Sequence, residues 1–175
     1  MIKKLVMAAM TMVMCAGLLA CGGSNNNAGG SANETQTQQT EEKGYAFESA
    51  GTAIEINSKV ETYTNKFGEP KGGYYEAKSC AFEGLDKFWY YDGFTIQAYQ
   101  KDGADLVYSV LLTDDTVKTK EGVKMGDTKD KMTSVYGSGF KADGTMCYYE
   151  AGNMRLEFTI KDDVIISIAY TLKTN

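Results

Sequence analysis

Three textures follow one another along the chain. Leu5 to Ala20 is an unbroken apolar run behind Lys3 and Lys4. Residues 22–44, GGSNNNAGGSANETQTQQTEEKG, contain no aromatic and no branched aliphatic residue. From Tyr45 onward apolar residues return with two periods. Over 55–68 (EINSKVETYTNKFG) and 124–137 (KMGDTKDKMTSVYG), Ile56, Val60, Tyr63 and Phe67, and likewise Met125, Met132, Val135 and Tyr136, recur at helical spacing. A capping residue opens each stretch: Ser58 in the first, Asp127 or Thr128 in the second. An aromatic followed by glycine, Phe67-Gly68 and Tyr136-Gly137, closes each. Over 90–113 and 148–171 the period is two, broken by Asp92-Gly93, Asp102-Gly103 and Asp162-Asp163, which reads as strands joined by tight turns.

The two helical stretches superpose, with Ile56 over Met125, Tyr63 over Met132 and Gly68 over Gly137; the strand stretches superpose with Ser109 over Ser167 and Thr113 over Thr171. The expectation is α+β: two tandem α-β-β-β repeats, in which a variable loop separates each helix from its strands. Copy one runs over about 52–114 and copy two over about 122–173, with Tyr45–Ser49 as a leading strand and 114–122 as connector. The domain division is 1–20, 21–44, 45–114 and 115–175.

The first two textures predict routing rather than folding. Leu5–Ala20 is about 16 residues long, short of the roughly 20 that a spanning helix needs. A basic start and a short apolar run make a secretory signal. The run ends Leu18-Leu19-Ala20-Cys21, which resembles the lipobox of bacterial lipoproteins. That resemblance implies removal of residues 1–20 and acylation of Cys21, giving a lipid anchor at the outer face of the cell membrane. Two or three acyl chains hold a protein where one chain is marginal. Residues 22–44 are too polar to bury surface against chain entropy and predict a disordered tether.

Composition narrows the chemistry. The chain carries 18 Lys+Arg against 23 Asp+Glu, so cleavage, which removes Lys3 and Lys4, leaves 16 against 23 and a formal charge of −7. An acidic surface is the wrong partner for nucleic acid. Histidine is absent, which removes Ser-His-Asp and Cys-His systems and His-ligated zinc. Beyond Cys21 the mature chain keeps only Cys80 and Cys147, too few for a cysteine zinc site. No phosphate-binding or dinucleotide loop and no nucleophile elbow is present. No cofactor is expected. Cys80 and Cys147 follow their respective helices at similar distance, so they are expected a repeat-width apart and reduced, the alternative being a bridge that closes a loop of about 65 residues.

The pattern Gly-Asp-Thr, then an apolar and an aromatic residue before glycine, then Tyr-Tyr and a strand pair, resembles the repeat of the β-lactamase-inhibitor-protein-like superfamily. SCAFEGLDKFWYYDGF (79–94) and LTDDTVKTKEGVKMGD (112–127) resemble uncharacterised surface lipoproteins of anaerobic gut Firmicutes. The resemblance implies one antiparallel curved sheet with both helices on its convex face and an open concave face. Members of that superfamily bind unrelated partners, so it implies no particular ligand.

Successive strand residues face opposite ways, so in Phe88-Trp89-Tyr90-Tyr91 one of the pairs Phe88/Tyr90 and Trp89/Tyr91 enters the core and the other lies on the open face. The candidate ligand-binding residues are Trp89 and Tyr91, with Tyr99 and Tyr149 sharing their face. Exposed aromatics on a rigid sheet offer large area at small entropy loss. The expected function is non-enzymatic binding of a protein or glycan at the cell surface. The alternatives are a small carboxylate-dependent glycan hydrolase using Glu83, Asp86, Asp92 or Glu150, and a structural envelope protein.

The anchor is directly testable. In a bacterial host fed an alkyne fatty acid, the wild-type chain is expected to take up label and sediment with membranes, and Cys21→Ser to do neither. Label on the Cys21→Ser chain would sink the assignment.

Overall fold

Alternation is strongest over the two stretches that carry the tight turns, and those stretches build the middle of the molecule. The structure, a computed structural model, describes residues 44–174. The expected signal, Cys21 and the tether as far as residue 43 lie outside the described residues. In chain order the elements are β1 (Phe47–Ser49), β2 (Thr52–Ile54), α1 (Glu61–Phe67), β3 (Tyr74–Lys78), β4 (Leu85–Tyr91), β5 (Phe94–Lys101), β6 (Ala104–Leu112), α2 (Lys129–Tyr136), β7 (Lys141–Asp143), β8 (Met146–Ala151), β9 (Met154–Lys161) and β10 (Val164–Leu172).

The expectation of two α-β-β-β repeats in an α+β fold is overturned. The described residues are mostly β, 48% strand and 11% helix. β1 and β2 form a separate hairpin, and the rest make one eight-stranded sheet in the order β3-β4-β5-β6-β10-β9-β8-β7. Each helix is followed by four strands rather than three. The extra strands, β3 and β7, are the two edges of the sheet and are exposed almost throughout. A strand with solvent on both faces has no apolar alternation, so both segments read as loop. The expected leading strand is one arm of the β1–β2 hairpin, turning at Ala50 and Gly51, both at positive φ.

Every pairing in the large sheet is antiparallel. At its centre β6 meets β10, with Leu112 opposite Ile168, Val110 opposite Tyr170 and Ser109 opposite Thr171. Beyond this join each central strand carries an extra residue, Tyr108 in β6 and Ile166 in β10. Past Tyr108 the β6 edge is taken by the segment leading into α1: Asn57 N–H donates to Val107 O at 2.8 Å and Val60 N–H to Asp105 O at 3.0 Å. Past Ile166 the β10 edge is taken by the segment leading into α2, with Ile165 N–H donating to Asp127 O at 2.9 Å.

Both helices and the β1–β2 hairpin pack on the same face of the sheet. Tyr63 of α1, Met132 of α2, Phe47 and Ile54 join Phe94, Ile96, Val110, Leu112, Leu156, Phe158, Ile168 and Tyr170 in one core. The helices are short, and their ends carry the local signals. Thr128 caps α2 by accepting from Lys131 N–H, and Asp127 instead holds Lys124 N–H and the Lys131 ammonium. Ser58 caps nothing; its hydroxyl lies 2.7 Å from that of Tyr63, and the N-cap position of α1 is Val60, with no side-chain cap. Gly68 and Gly137 end the helices at φ +71° and +86°, a region that penalises any Cβ. No helix among the described residues is long and apolar enough to cross a membrane.

Covered and uncovered faces make opposite predictions. Leu156 is 0% exposed on the covered face and Leu111 39% exposed on the other. Leu156→Ala is expected to cost about 2–5 kcal/mol and Leu111→Ala about 0.5 kcal/mol or less, read by urea unfolding of the compact unit Gln39–Asn175. Equal losses would refute the assignment of faces.

Candidate functional site

Register decides which aromatics are free. Trp89 lies opposite Ile96, and Tyr91 opposite Phe94, so both face the core. The Tyr91 ring stacks on Phe94 with centroids 5.2 Å apart, and its hydroxyl donates to Gly68 O at 3.3 Å. Tyr149 does the same service in the other half: it is 6% exposed, its hydroxyl donates to Gly137 O at 2.6 Å, and burial pushes its pKa up to about 12. Tyr99 faces away from its neighbour Ala98 but is 6% exposed, because Phe82 from the 79–84 loop covers it with ring centroids 4.4 Å apart; its hydroxyl donates to Asn57 Oδ1. Trp89, Tyr91 and Tyr149 are thus structural aromatics of the covered face, and their expected place on the open face is corrected. Tyr99 does lie on the open face, but beneath Phe82.

The free rings are the other pair and a neighbour. Phe88 and Tyr90 stand on the uncovered face, joined by Tyr75 of β3, which lies directly opposite Phe88. Tyr75 is 56% and Tyr90 38% exposed. Ring centroids are 6.0 Å apart for Tyr75–Phe88 and 6.4 Å for Phe88–Tyr90, the latter inclined by only 13°. Phe88 is the neighbour of both other rings, and none of the three belongs to the core cluster. A signal for Phe88 and Tyr90 was present. A two-residue turn at Asp92-Gly93 forces Tyr91 opposite Phe94, and Phe94, Ile96 and Ala98 alternate with polar Thr95 and Gln97. Tyr75 gave none, because β3 shows no alternation.

Away from the rings the same face becomes polar. Ser109 donates to Gln97 Oε1 at 3.2 Å across β5–β6. On β8 and β9, Glu150 accepts from Lys141 at 2.5 Å and Arg155 at 3.2 Å, with Lys173 3.6 Å away. The Lys141 hydrogen bond chiefly holds the Glu150 carboxyl below its ordinary pKa. Asp92 pairs with Lys71 at 2.6 Å at the β4–β5 turn. Glu83 borders an open groove with Phe82, Tyr99 and Lys101. Asp86 has one carboxylate oxygen buried without a hydrogen-bond partner. Two of the four candidate carboxylates are therefore neutralised by cations, while Glu83 sits in the 79–84 loop and Asp86 on β4 just after it. Among the described residues no group of His, Cys, Asp and Glu is placed to hold a metal ion. Cys80 is exposed, and Cys147 is buried opposite Phe158; both are free thiols.

Glu157, on the same face, is shifted the other way from Glu150. Burial holds its carboxyl above the ordinary value, against the opposing pull of the Thr171 hydroxyl and Arg155. A carboxyl with a raised folded-state pKa binds its proton more tightly when folded. Its contribution is full below the ordinary carboxyl range and is lost as pH rises through the raised value. Glu157→Gln is therefore expected to be more stable than wild type at pH 7, with the advantage gone near about pH 4. Urea midpoints at the two pH values decide it; a variant less stable than wild type at pH 7 would contradict the assignment.

No protein-family model matches the chain, and no curated protein matches it. Among solved structures, an extracellular protein containing a SCP domain from Bacillus anthracis str. Ames aligns over 67% of this chain at 12% identity with a TM-score of 0.47. This chain covers 44% of that one, less than half its length, and at this TM-score the likeness carries no argument about fold, location or activity.

Proposed function

We propose that this chain is a lipid-anchored, extracytoplasmic binding module that performs no reaction and takes a protein or glycan on the rings of Tyr75, Phe88 and Tyr90. One observation carries the reading: three contacting rings stand on the uncovered face of a hydrogen-bonded sheet, outside the core. Aromatic side chains with two rotatable bonds, fixed on strands, lose little entropy on binding. The engagement of Glu150 and Asp92 by cations supports binding over carboxylate chemistry. The lipobox-like Leu18-Leu19-Ala20-Cys21 and the resemblance to surface lipoproteins support the location. The described chain enters at Gly44 beside Met154, at the β8–β9 turn, while the rings lie on β3 and β4 near the other edge of the sheet. A body held at Gly44 would present the rings away from its attachment.

A photo-crosslinking residue at Tyr90, compared in living cells with one at Val135 on α2, tests the surface, and a glycan array read with and without the rings tests the ligand class. Adducts are expected at position 90 and not at 135. The triple variant Tyr75→Ala, Phe88→Ala, Tyr90→Ala is expected to lose at least about tenfold in affinity for any array hit. Identical adducts at both positions, a triple variant that binds as wild type, or hydrolysis of an array glycan would overturn the reading.

A further inference from the structure

β3 ends the sheet on its side, and its free edge has a defined phase. Tyr90 N–H donates to Gly73 O at 3.0 Å, and Ser79 N–H donates to Gly84 O at 3.1 Å. Hydrogen-bonded and non-hydrogen-bonded pairs alternate along an antiparallel ladder. Tyr75 and Ala77 therefore turn their peptide groups toward β4, and Tyr74, Glu76 and Lys78 turn theirs outward. Among the described residues no strand takes that outer row. The opposite edge differs. β7 has three residues against the five of β3, and a very short edge strand offers little to pair with.

The charges on β3 alternate in a way that complements β3 itself. We propose that this edge pairs antiparallel with β3 of a second copy of the chain, about a two-fold axis through Ala77. In that register Glu76 faces the partner's Lys78 and Lys78 faces the partner's Glu76. Both are outward-turned residues, so each pair exchanges backbone hydrogen bonds as well as joining opposite charges. Neighbouring registers fail on charge. An axis through Glu76 sets the two Glu76 carboxylates against each other. An axis through Tyr75 sets Lys78 against glycine and leaves both charges without an opposite. A two-fold axis perpendicular to the sheet preserves its faces, so the sheet would continue through the axis with both ring sets on one side.

The contact is small, and the net acidity of the chain opposes it, so it belongs to the weak class of interfaces. Anchoring on one membrane would raise the local concentration of chains above that in free solution. That clause rests on the proposed anchor; the pairing itself does not, and it leaves Phe88 and Tyr90 untouched.

Sedimentation equilibrium of Gln39–Asn175 at loads up to about 1 mM tests it, with near-ultraviolet circular dichroism as the check on folding. Wild type is expected to show a monomer–dimer equilibrium that weakens with salt. Lys78→Glu, which sets like charges opposite in both pairs, is expected to weaken it at least about tenfold. Glu76→Lys combined with Lys78→Glu is expected to restore it. A monomer at every load leaves the edge to some foreign strand and overturns the proposal. So does dimerisation of Lys78→Glu at wild-type strength, or a folded double variant that stays monomeric.

Discussion

The rest of the molecule depends on how β6 meets β10. That join is short, and its register fixes which side chains of both halves are buried. Val110, Leu112, Ile168 and Tyr170 fall on one side of it, and Ser109, Leu111, Ala169 and Thr171 on the other. A slip of one residue would send each set to the opposite face. The join also sets the helices. Its end at Tyr108 frees the β6 edge for Asn57–Val60, and its end at Ile166 frees the β10 edge for Gly126–Lys129. Each helix thus starts from a segment that occupies the part of a central strand left unpaired by the other half. Bulges bend a strand and raise its twist, and here they are where one partner gives way to the next.

Much of the local structure was legible because local chemistry decides it. Asp102-Gly103 and Asp162-Asp163 turn at positive φ, as glycine and aspartate tolerate. Thr128 caps α2, and Gly68 and Gly137 stop the helices. Illegible features depend on partners remote in sequence. β3 and β7 form because β4 and β8 offer them edges, and nothing in their own sequence alternates. Ser58 reads as a cap but serves the Tyr63 hydroxyl. The error over Trp89 and Tyr91 was of another kind, since the hairpin register that buries them was written in the Asp92-Gly93 turn. Tyr99 was unreadable, because its cover is Phe82 from a loop with no periodicity.

Four tyrosines of the large sheet form two contrasting pairs. Tyr91 of β4 and Tyr149 of β8 each donate a hydroxyl hydrogen bond to the carbonyl of the glycine that ends the preceding helix. Each closes a loop that varies between the halves and secures a helix too short to hold itself. Tyr75 and Tyr90 have neither core contact nor backbone duty. On β4 the same residue type is a rivet at Tyr91 and a surface ring at Tyr90, and strand parity separates the two uses.

The isolation of Tyr75, Phe88 and Tyr90 from the core has an evolutionary consequence. A side chain outside the hydrophobic core can be exchanged without repacking that core. Stability and the chemistry of this surface then become separately heritable traits, and the surface can drift within a lineage while the fold remains under constant selection. Diversification in such a lineage would concentrate at alternate positions of β3 and β4, leaving Trp89 and Tyr91 between them unchanged.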